Sequence, residues 1–320
     1  MATKFLTDMV GRVTKKTAKA HAEPDTKKPT LVLERILTKT PTQKIELYDT
    51  TLRDGNQGVG VNFSVEDKLK IARCLSDFGL RMIEGGWPSA ANHAEAEIFR
   101  RLKHERIDVA VSAIGATRKP NARPEKDQNL EALISVESEY ATLVGKSWRL
   151  HVEKVLDTTA EENLRMIVDS IEYLRSHGRK VIFDAEHFFD GFKEDPEYAL
   201  QTLEVASDAG STAVVLCDTR GGSTPSEVYE ITDHVVDRID TPAGIHAHND
   251  RGLATANSLH AIMAGAEHFQ GTVNGIGERC GNSNILEFIA NLEFGLGYKA
   301  GLDLTKLTQL SDYVYEIANL

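Results

Sequence analysis

The chain has 320 residues, of which 41% are hydrophobic and 27% charged, and its formal net charge is -11. This length suits one large α/β domain or two smaller ones, and the negative charge argues against nucleic-acid binding. No apolar run approaches the roughly 20 residues of a membrane helix, and Cys74, Cys217 and Cys280 are too few and too widely separated for a disulfide framework. We therefore expect a cytoplasmic protein.

Residues 1–44 differ in composition from the rest of the chain. They are rich in Lys and Thr, show little apolar periodicity and contain the stretch HAEPDTKKPT. This composition predicts a loosely ordered N-terminal extension outside the core fold. A transit peptide is the alternative, but Asp8, Glu23 and Asp25 are acidic residues of a kind that such peptides seldom carry.

From Ile45 onward, short apolar segments alternate with helical patterns. Several segments are continuous apolar runs, as expected for parallel strands that are covered on both faces. Eight strands are predicted, at residues 45–49, 80–84, 108–113, 140–145, 180–185, 212–217, 243–248 and 268–273.

Capping residues mark the helices between these strands. Ser64 precedes an apolar periodic segment, and Thr159 with Glu162 has the spacing of a capping box. Glycine is favoured just after a helix and proline at its first position. On these grounds, further helix boundaries are predicted at Gly79, Gly178, Asp195–Pro196 and Thr224–Pro225.

Eight strands alternating with helices over residues 45–320 predict an α/β protein with the (β/α)8 TIM-barrel fold. That fold typically takes about 250 residues, so the whole of residues 45–320 is assigned to one barrel domain. A doubly wound open sheet is the alternative. It is disfavoured because no G-x-G-x-x-G motif follows the first strand.

His246 and His248 stand two residues apart at the end of the seventh predicted strand. Side chains with this spacing project to the same face of a strand, here at the barrel end where TIM-barrel active sites are built. Two imidazoles can bind a divalent cation if a carboxylate or another hard donor completes the set. Taken alone, the pair fits a core or hydrogen-bonding role equally well.

Two other loops are expected at the same rim of the barrel. Arg53 and Asp54 follow the first strand in YDTTLRDGNQ, with a surface salt bridge as the alternative to a functional role. The glycine-rich segment NGIGERCGNSN, residues 274–284, follows the last strand. Its backbone is expected to approach another group closely or to adopt positive φ angles, with a plain flexible loop as the alternative.

Six motifs, in their order along the chain, resemble those of one enzyme family: YDTTLRDGNQ, IEGGWPSAAN, DAEHFFDG, LCDTRGGSTP, IHAHNDRGLATANS and GIGERCGN. From about Ile45 to the C terminus, the chain resembles the acyl-CoA-dependent isopropylmalate, homocitrate and citramalate synthases and related lyases. The stretch GKSWRLHVEKVLDTTAEEN is most similar to the citramalate-synthase-like branch. The resemblance implies a homodimer that condenses acetyl-CoA with a 2-oxo acid and then hydrolyses the thioester to release CoA.

The resemblance also implies a divalent metal ion, which the donor types allow to be Zn, Mn or Mg. Such an ion polarises the ketone of the 2-oxo acid. The metal ligands of the family correspond to Asp54, His246, His248 and Asn282, the last binding either directly or through water.

The catalytic and substrate-side residues follow from the same resemblance. Arg53 corresponds to an arginine directed at the oxygen that becomes an alkoxide, and Glu84 would orient its guanidinium group. Glu278 corresponds to a glutamate proposed to remove a proton from the acetyl methyl group. The substrate-binding positions are Arg53, Gln57, His151, Glu186 and Thr219.

Several functional alternatives stay open at this point. Pyruvate is the expected oxo acid, which would make citramalate the product, while 2-oxoisovalerate or 2-oxoglutarate would make the chain an isopropylmalate or homocitrate synthase. A hydroxyacyl-CoA lyase is a further alternative, although Cys280 matches the reactive cysteine of such lyases only approximately. The family's C-terminal accessory and regulatory regions are absent from residues 45–320, so the last alternative is a non-catalytic binding remnant. For the synthase, we accordingly expect a chain that binds metal and oxo acid but condenses poorly alone.

Overall fold

The computed structural model describes residues 44–89 and 93–320, so the predicted extension lies outside the described residues except for Lys44. The strands are β1 Glu46–Asp49, β2 Met82–Gly86, β3 Ala110–Ala116, β4 Tyr140–Lys146, β5 Lys180–Glu186, β6 Ala213–Asp218, β7 Ala243–Ala247 and β8 His268–Gly271. Each strand pairs in parallel with the next, and β8 pairs in parallel with β1. The closed barrel confirms the predicted fold, and each strand boundary lies within three residues of its prediction.

Helices connect the strands around the outside of the barrel, and none of those the structure describes is long and apolar enough to cross a membrane. The predicted boundaries at Gly79, Gly178, Asp195 and Thr224 are confirmed. The α-helices are α1 Val65–Phe78, α2 His93–Glu105, α3 Gln128–Ser135, α4 Arg149–Lys154, α5 Ala160–Ser176, α6 Phe188–Glu194, α7 Pro196–Asp208, α8 Pro225–Val236, α9 Ala254–Ala264, α10 Ile285–Ala290 and α11 Leu307–Ala318.

The two predicted capping motifs have different outcomes. At α1, the Ser64 hydroxyl accepts the N–H of Asp67 at 3.2 Å, and the Asp67 carboxylate accepts the N–H of Ser64 at 3.1 Å, which completes a capping box. At α5, Thr159 accepts the N–H of Glu162 at 3.2 Å, but the Glu162 carboxylate accepts a hydrogen bond from Arg118 at 2.7 Å instead. The prediction of a reciprocal capping box at α5 is wrong, because the Glu162 carboxylate binds Arg118, a residue distant in sequence, in place of the Thr159 N–H.

The barrel interior combines apolar packing with a buried polar network. The Tyr48 hydroxyl donates to Glu84 Oε1 at 3.0 Å and lies 2.8 Å from Thr142 Oγ1. Buried polar groups are costly unless they are hydrogen-bonded, so this network fixes the Glu84 carboxylate inside the barrel. The apolar cluster around it contains Tyr48, Met82, Ile182, Ala213, Val215 and Cys217.

Candidate active site

The loop after β1 is a tight turn that places Arg53 and Asp54 at the barrel mouth. The Thr50 carbonyl accepts the N–H groups of Arg53 and Asp54 at 3.2 and 2.8 Å. The Thr50 N–H donates to the Gly271 carbonyl of β8 at 2.8 Å, and the Thr51 hydroxyl accepts the N–H of Val273 at 2.8 Å. The turn is therefore held by hydrogen bonds to the last strand and the segment after it, in addition to the hydrogen bonds within the turn itself.

Asp54, His246 and His248 meet at this mouth. Asp54 Oδ2 lies 3.3 Å from His246 Nε2, which in turn lies 3.3 Å from His248 Nε2. One potential ligand atom from each residue lies within 4.8 Å of the others, and all three residues are buried. Carboxylate oxygen and imidazole nitrogen are the donors that divalent transition metals take in proteins. The structure thus assembles three of the four predicted metal ligands around one point.

The electrostatics of this cluster suit metal binding. Burial raises the pKa of Asp54, but Arg53 and His246 lower it more, so the net shift is downward. Burial and the neighbouring His246 lower the pKa of His248 to about 3. Burial also lowers the pKa of His246, but the hydrogen bond to Asp54 and the charges of Asp54 and Asp184 together raise it more, so the net shift is upward. A metal requires an ionised carboxylate and neutral imidazoles, and Asp54 and His248 already have those forms near neutral pH.

Asn282, the fourth predicted ligand, lies beside the cluster and contacts Asp54. Its Nδ2 donates to Asp54 Oδ1 at 3.1 Å and to the Ile276 carbonyl at 3.2 Å. Its Oδ1 is buried and has no hydrogen-bond partner within the described part of the chain. An unsatisfied buried acceptor costs about 1–3 kcal/mol, whereas an amide oxygen is a good ligand for a hard cation. Two imidazoles, a carboxylate and an unpaired amide oxygen therefore fit a divalent cation.

Glycine shapes the loop that carries Asn282. The Asn282 N–H donates to the Gly275 carbonyl at 2.9 Å, and the Gly281 carbonyl accepts the N–H of Asn249 at 2.9 Å. Gly275 and Gly281 have φ angles of 67° and 89°, and a Cβ atom on Gly277 would overlap the Asn282 amide nitrogen. The expected close approach and positive φ angles are both present, so the structure shows a hydrogen-bonded loop in place of a plain flexible one.

Gly281→Ala is expected to lower the free energy of unfolding by about 2 kcal/mol or more, because it adds a steric overlap to backbone strain. Its Cβ atom would overlap the Gly275 carbonyl oxygen at a φ of 89°. Gly252→Ala is the matched control, since Gly252 has a φ of 70° but open space around its Cβ position, and should lose only about 1–2 kcal/mol. Urea unfolding of both variants measures the difference, and equal losses would contradict the overlap.

Arg53 lies beside the metal cluster and is held by Glu84. Its Nε donates to Glu84 Oε2, while Nη1 lies 3.3 Å from Asp54 Oδ2 and 3.4 Å from Gln57 Oε1. Glu84 is fully buried and the Arg53 side chain is 14% exposed. Burial lowers the pKa of Arg53, but the charges of Glu84 and Asp54 raise it more, so the net shift is upward. The guanidinium group therefore presents a permanent, oriented positive charge at the mouth.

Three predicted substrate-side residues lie at or beyond the carboxyl ends of β4, β5 and β6. Glu186 ends β5 and forms an ion pair with Lys146 of β4. The His151 ring, on α4, packs edge-on against His187 with ring centroids 4.4 Å apart. Thr219 follows β6, and its hydroxyl accepts the N–H of His187 at 2.9 Å. Among the described hydrogen bonds, none joins Glu186, His151 or Thr219 directly to the metal cluster.

Glu278, the predicted base, lies in the loop after β8. Its carboxylate forms an ion pair with Arg279, and its side chain is 41% exposed. Arg279 also donates to the Thr219 carbonyl at 2.8 Å and to Asp250 at 2.7 Å. Glu278 is therefore anchored near the substrate-side residues, and its role as a base stays a prediction. Cys280, in the same loop, is exposed.

Sequence reasoning missed two buried residues behind His246. Gln270 Oε1 lies 2.9 Å from His246 Nδ1, and Gln270 Nε2 donates to Asp184 Oδ1 at 2.9 Å. Burial raises the pKa of Asp184 to about 6. Both residues occupy strands that were predicted correctly. The sequence feature that could have identified them is a polar residue at an inward-facing position of an otherwise apolar strand.

Comparison with known proteins adds evolutionary evidence. The HMGL-like family matches residues 44–314. The chain is 51% identical over 282 residues to the (R)-citramalate synthase of Aquifex aeolicus, covering 87% of this chain and 53% of that protein. It is 47% identical over 279 residues to the (R)-citramalate synthase of Geobacter sulfurreducens, covering 86% and 53%. The chain thus spans about half the length of these curated relatives.

A solved structure supports the fold assignment independently. The HMG-CoA lyase of Bacillus subtilis has a TM-score of 0.73 to this chain at 20% sequence identity, and the match covers 87% of this chain and 94% of that one. At this identity the likeness shows the shared barrel alone. The family match over residues 44–314 and the two curated relatives show that the chain belongs to the HMGL-like family, in its citramalate-synthase-like branch.

Proposed function

We propose that this chain condenses acetyl-CoA with pyruvate and hydrolyses the resulting thioester with water to give citramalate and CoA, using a divalent cation. The observation that carries the proposal is the position of Arg53, whose guanidinium group is 3.3 Å from the carboxylate of the metal cluster. Attack on a ketone places negative charge on its oxygen, so fixed positive charges must lie beside that oxygen. The names of the two synthases at 51% and 47% identity support this choice of reaction and of oxo acid.

The residues proposed to hold the cation are Asp54, His246, His248 and Asn282. When bound, the cation would act as a Lewis acid on the oxo acid. The protein shields these four side chains from water, because each residue is at most 6% exposed. A dry site strengthens each charge interaction within it.

Arg53 is proposed to stabilise the developing alkoxide. Glu84 holds its Nε on one side, and the Tyr48 hydroxyl occupies the other oxygen of the Glu84 carboxylate. Both oxygens of this buried acid are therefore paired, so the carboxylate has one preferred orientation. A charge that is oriented before the reaction needs no rearrangement during it.

Substrate recognition and proton transfer are assigned to the other mouth residues. The Thr219 hydroxyl already accepts the His187 N–H at 2.9 Å, so its own proton is free to be donated to the oxo acid carboxylate. Glu278 is proposed to take a proton from the acetyl methyl group. The remaining substrate-side positions in the proposal are Gln57, His151 and Glu186.

Release of free CoA thiol tests the proposal directly. The chain would be incubated with acetyl-CoA, a divalent cation and one oxo acid from a panel of pyruvate, 2-oxoisovalerate and 2-oxoglutarate. Pyruvate should give the highest kcat/KM, and release should stop without oxo acid or after chelation of the metal. Even one methylene in an apolar pocket is worth about 1–3 kcal/mol, and these oxo acids differ from pyruvate by more than that, so the preference should be measurable.

The possible outcomes separate the alternatives. A preference for 2-oxoisovalerate or 2-oxoglutarate would make the chain an isopropylmalate or homocitrate synthase. Cleavage of a hydroxyacyl-CoA without condensation would make it a lyase. Binding of metal and pyruvate with no thiol release under any condition would indicate a binding protein, and each of these results would overturn the proposal.

A further inference from the structure

The barrel interior contains a hydrogen-bonded chain that crosses three strands and ends on one proposed metal ligand. Asp184 of β5 accepts from Gln270 Nε2 of β8 at 2.9 Å. Gln270 Oε1 lies 2.9 Å from His246 Nδ1 of β7. All three residues are at most 5% exposed. We call Asp184, Gln270 and His246 the tautomer relay.

The direction of every hydrogen bond in the relay follows from Asp184. An ionised carboxylate only accepts hydrogen bonds, so the amide that faces it must present its NH2 group. The Gln270 carbonyl oxygen then faces His246 and can only accept. Consequently Nδ1 of His246 must carry a proton, so the lone pair of the neutral imidazole is on Nε2.

Nε2 is the atom of His246 that faces the proposed cation site. It lies 3.3 Å from Asp54 Oδ2 and 3.3 Å from His248 Nε2. By contrast, His248 Nδ1 is buried and has no hydrogen-bond partner in the described ranges of the chain. Protein contacts therefore fix the proton position of one imidazole and leave that of the other open.

We propose that Asp184 is a positioning residue that acts through Gln270 to hold His246 in the Nδ1–H form, and so prepares Nε2 to bind a divalent cation. The relay deepens the proposed function, because it assumes that His246 is a metal ligand. Neither Asp184 nor Gln270 is assigned to substrate, and the described hydrogen bonds link Asp184 to His246 through the Gln270 amide. Outer-shell partners of this kind typically contribute about 10–100-fold to metal affinity.

Asp184→Asn tests the relay without changing side-chain size. An amide at position 184 donates as well as accepts, so the Gln270 amide can turn and present its NH2 group to His246 Nδ1. The proton would then occupy Nε2 in part of the molecules. We expect titration with Mn²⁺ or Zn²⁺ alone to show an affinity about 10–100-fold weaker than that of the parent chain.

The double variant Asp184→Asn with Gln270→Glu is the rescue experiment. The new carboxylate at position 270 would accept from both the new asparagine and His246 Nδ1, which restores one direction along the relay. We expect metal affinity to return to the parent value or above it. Cys217→Ala is the control, since Cys217 also faces the barrel interior but lies outside the relay, and its metal affinity should match that of the parent.

The second readout is the protonation of His246 itself. Nitrogen NMR of ¹⁵N-histidine-labelled, metal-free protein in mildly alkaline buffer distinguishes Nδ1–H from Nε2–H. The parent and the double variant should show Nδ1–H, and Asp184→Asn a mixture. This NMR readout needs no metal. If the chain bound no cation, the proposed function would be contradicted, but the position of the His246 proton would still show whether the relay operates.

Two results would overturn the proposal. One is an Asp184→Asn variant with parent-like metal affinity and an unchanged Nδ1–H signal. The other is a double variant as weak as the single variant, which would mean that the charge at position 184 acts without the relay. Thermal unfolding would be measured for each variant, and if the single variant does not fold, the tautomer and metal affinity of the double variant decide.

Discussion

Replacing Arg53 with lysine is expected to lower kcat for CoA release by about 10²–10³-fold, the usual loss when one donor to a developing oxyanion is removed. Arg53 bonds Glu84 through Nε while its Nη1 atom reaches toward Asp54 and Gln57. A lysine ammonium is a point charge without this fork, so it cannot contact Glu84 and reach the substrate together. The variant therefore keeps a positive charge at position 53 but does not hold that charge in a fixed orientation.

Steady-state kinetics and metal titration together distinguish this effect from a general disruption. Arg53→Lys should leave divalent cation affinity within a few-fold of the parent, because Arg53 is not a proposed ligand. Arg100→Lys is the matched control, since Arg100 is 64% exposed and, among the residues that the structure describes, pairs with Glu97 on its own helix; its kcat should be unchanged. A kcat for Arg53→Lys within about 10-fold of the parent would contradict the proposed role.

The fold was predictable because the apolar pattern of a strand and the capping of a helix each depend on residues that are close together in the sequence. The run KVIFDA predicts β5 to within one residue of the observed Lys180–Glu186. Ser64 predicts the start of α1 because its capping partner, Asp67, lies three residues away. The prediction at Thr159 failed in part because Glu162 binds Arg118, 44 residues distant, and such competition is not encoded in local spacing.

The proposed metal ligands were predictable for a related reason. His246 and His248 share a face because they are two residues apart on one strand, and Asp54 follows β1 at the same barrel end. The relay was not predictable from the same signals. Asp184 and Gln270 are 86 residues apart, and pairing them requires knowledge of the depth at which β5 and β8 face each other across the closed barrel.

Of the proposed ligands, His246 is expected to contribute most to cation binding, because contacts engage both of its ring nitrogens. Nδ1 meets Gln270 and Nε2 meets Asp54. His246→Ala is expected to weaken divalent cation affinity by more than about 100-fold, beyond the loss typical of an outer-shell residue, and to abolish CoA release. It also leaves the Gln270 carbonyl oxygen unsatisfied, which should lower the free energy of unfolding by about 1–3 kcal/mol.

Three measurements on one preparation test these effects. Calorimetric titration with Mn²⁺ gives the cation affinity, thiol release gives the activity, and urea unfolding gives the free energy of unfolding. His260→Ala is the matched control, because His260 lies on α9 and its Nδ1 lies 2.8 Å from the Ala256 carbonyl of the same helix, away from the cluster. That variant should bind Mn²⁺ and release CoA as the parent does. If His246→Ala retained parent-like Mn²⁺ affinity, the cation would have to bind elsewhere, and the geometry around Asp54 would need a different explanation.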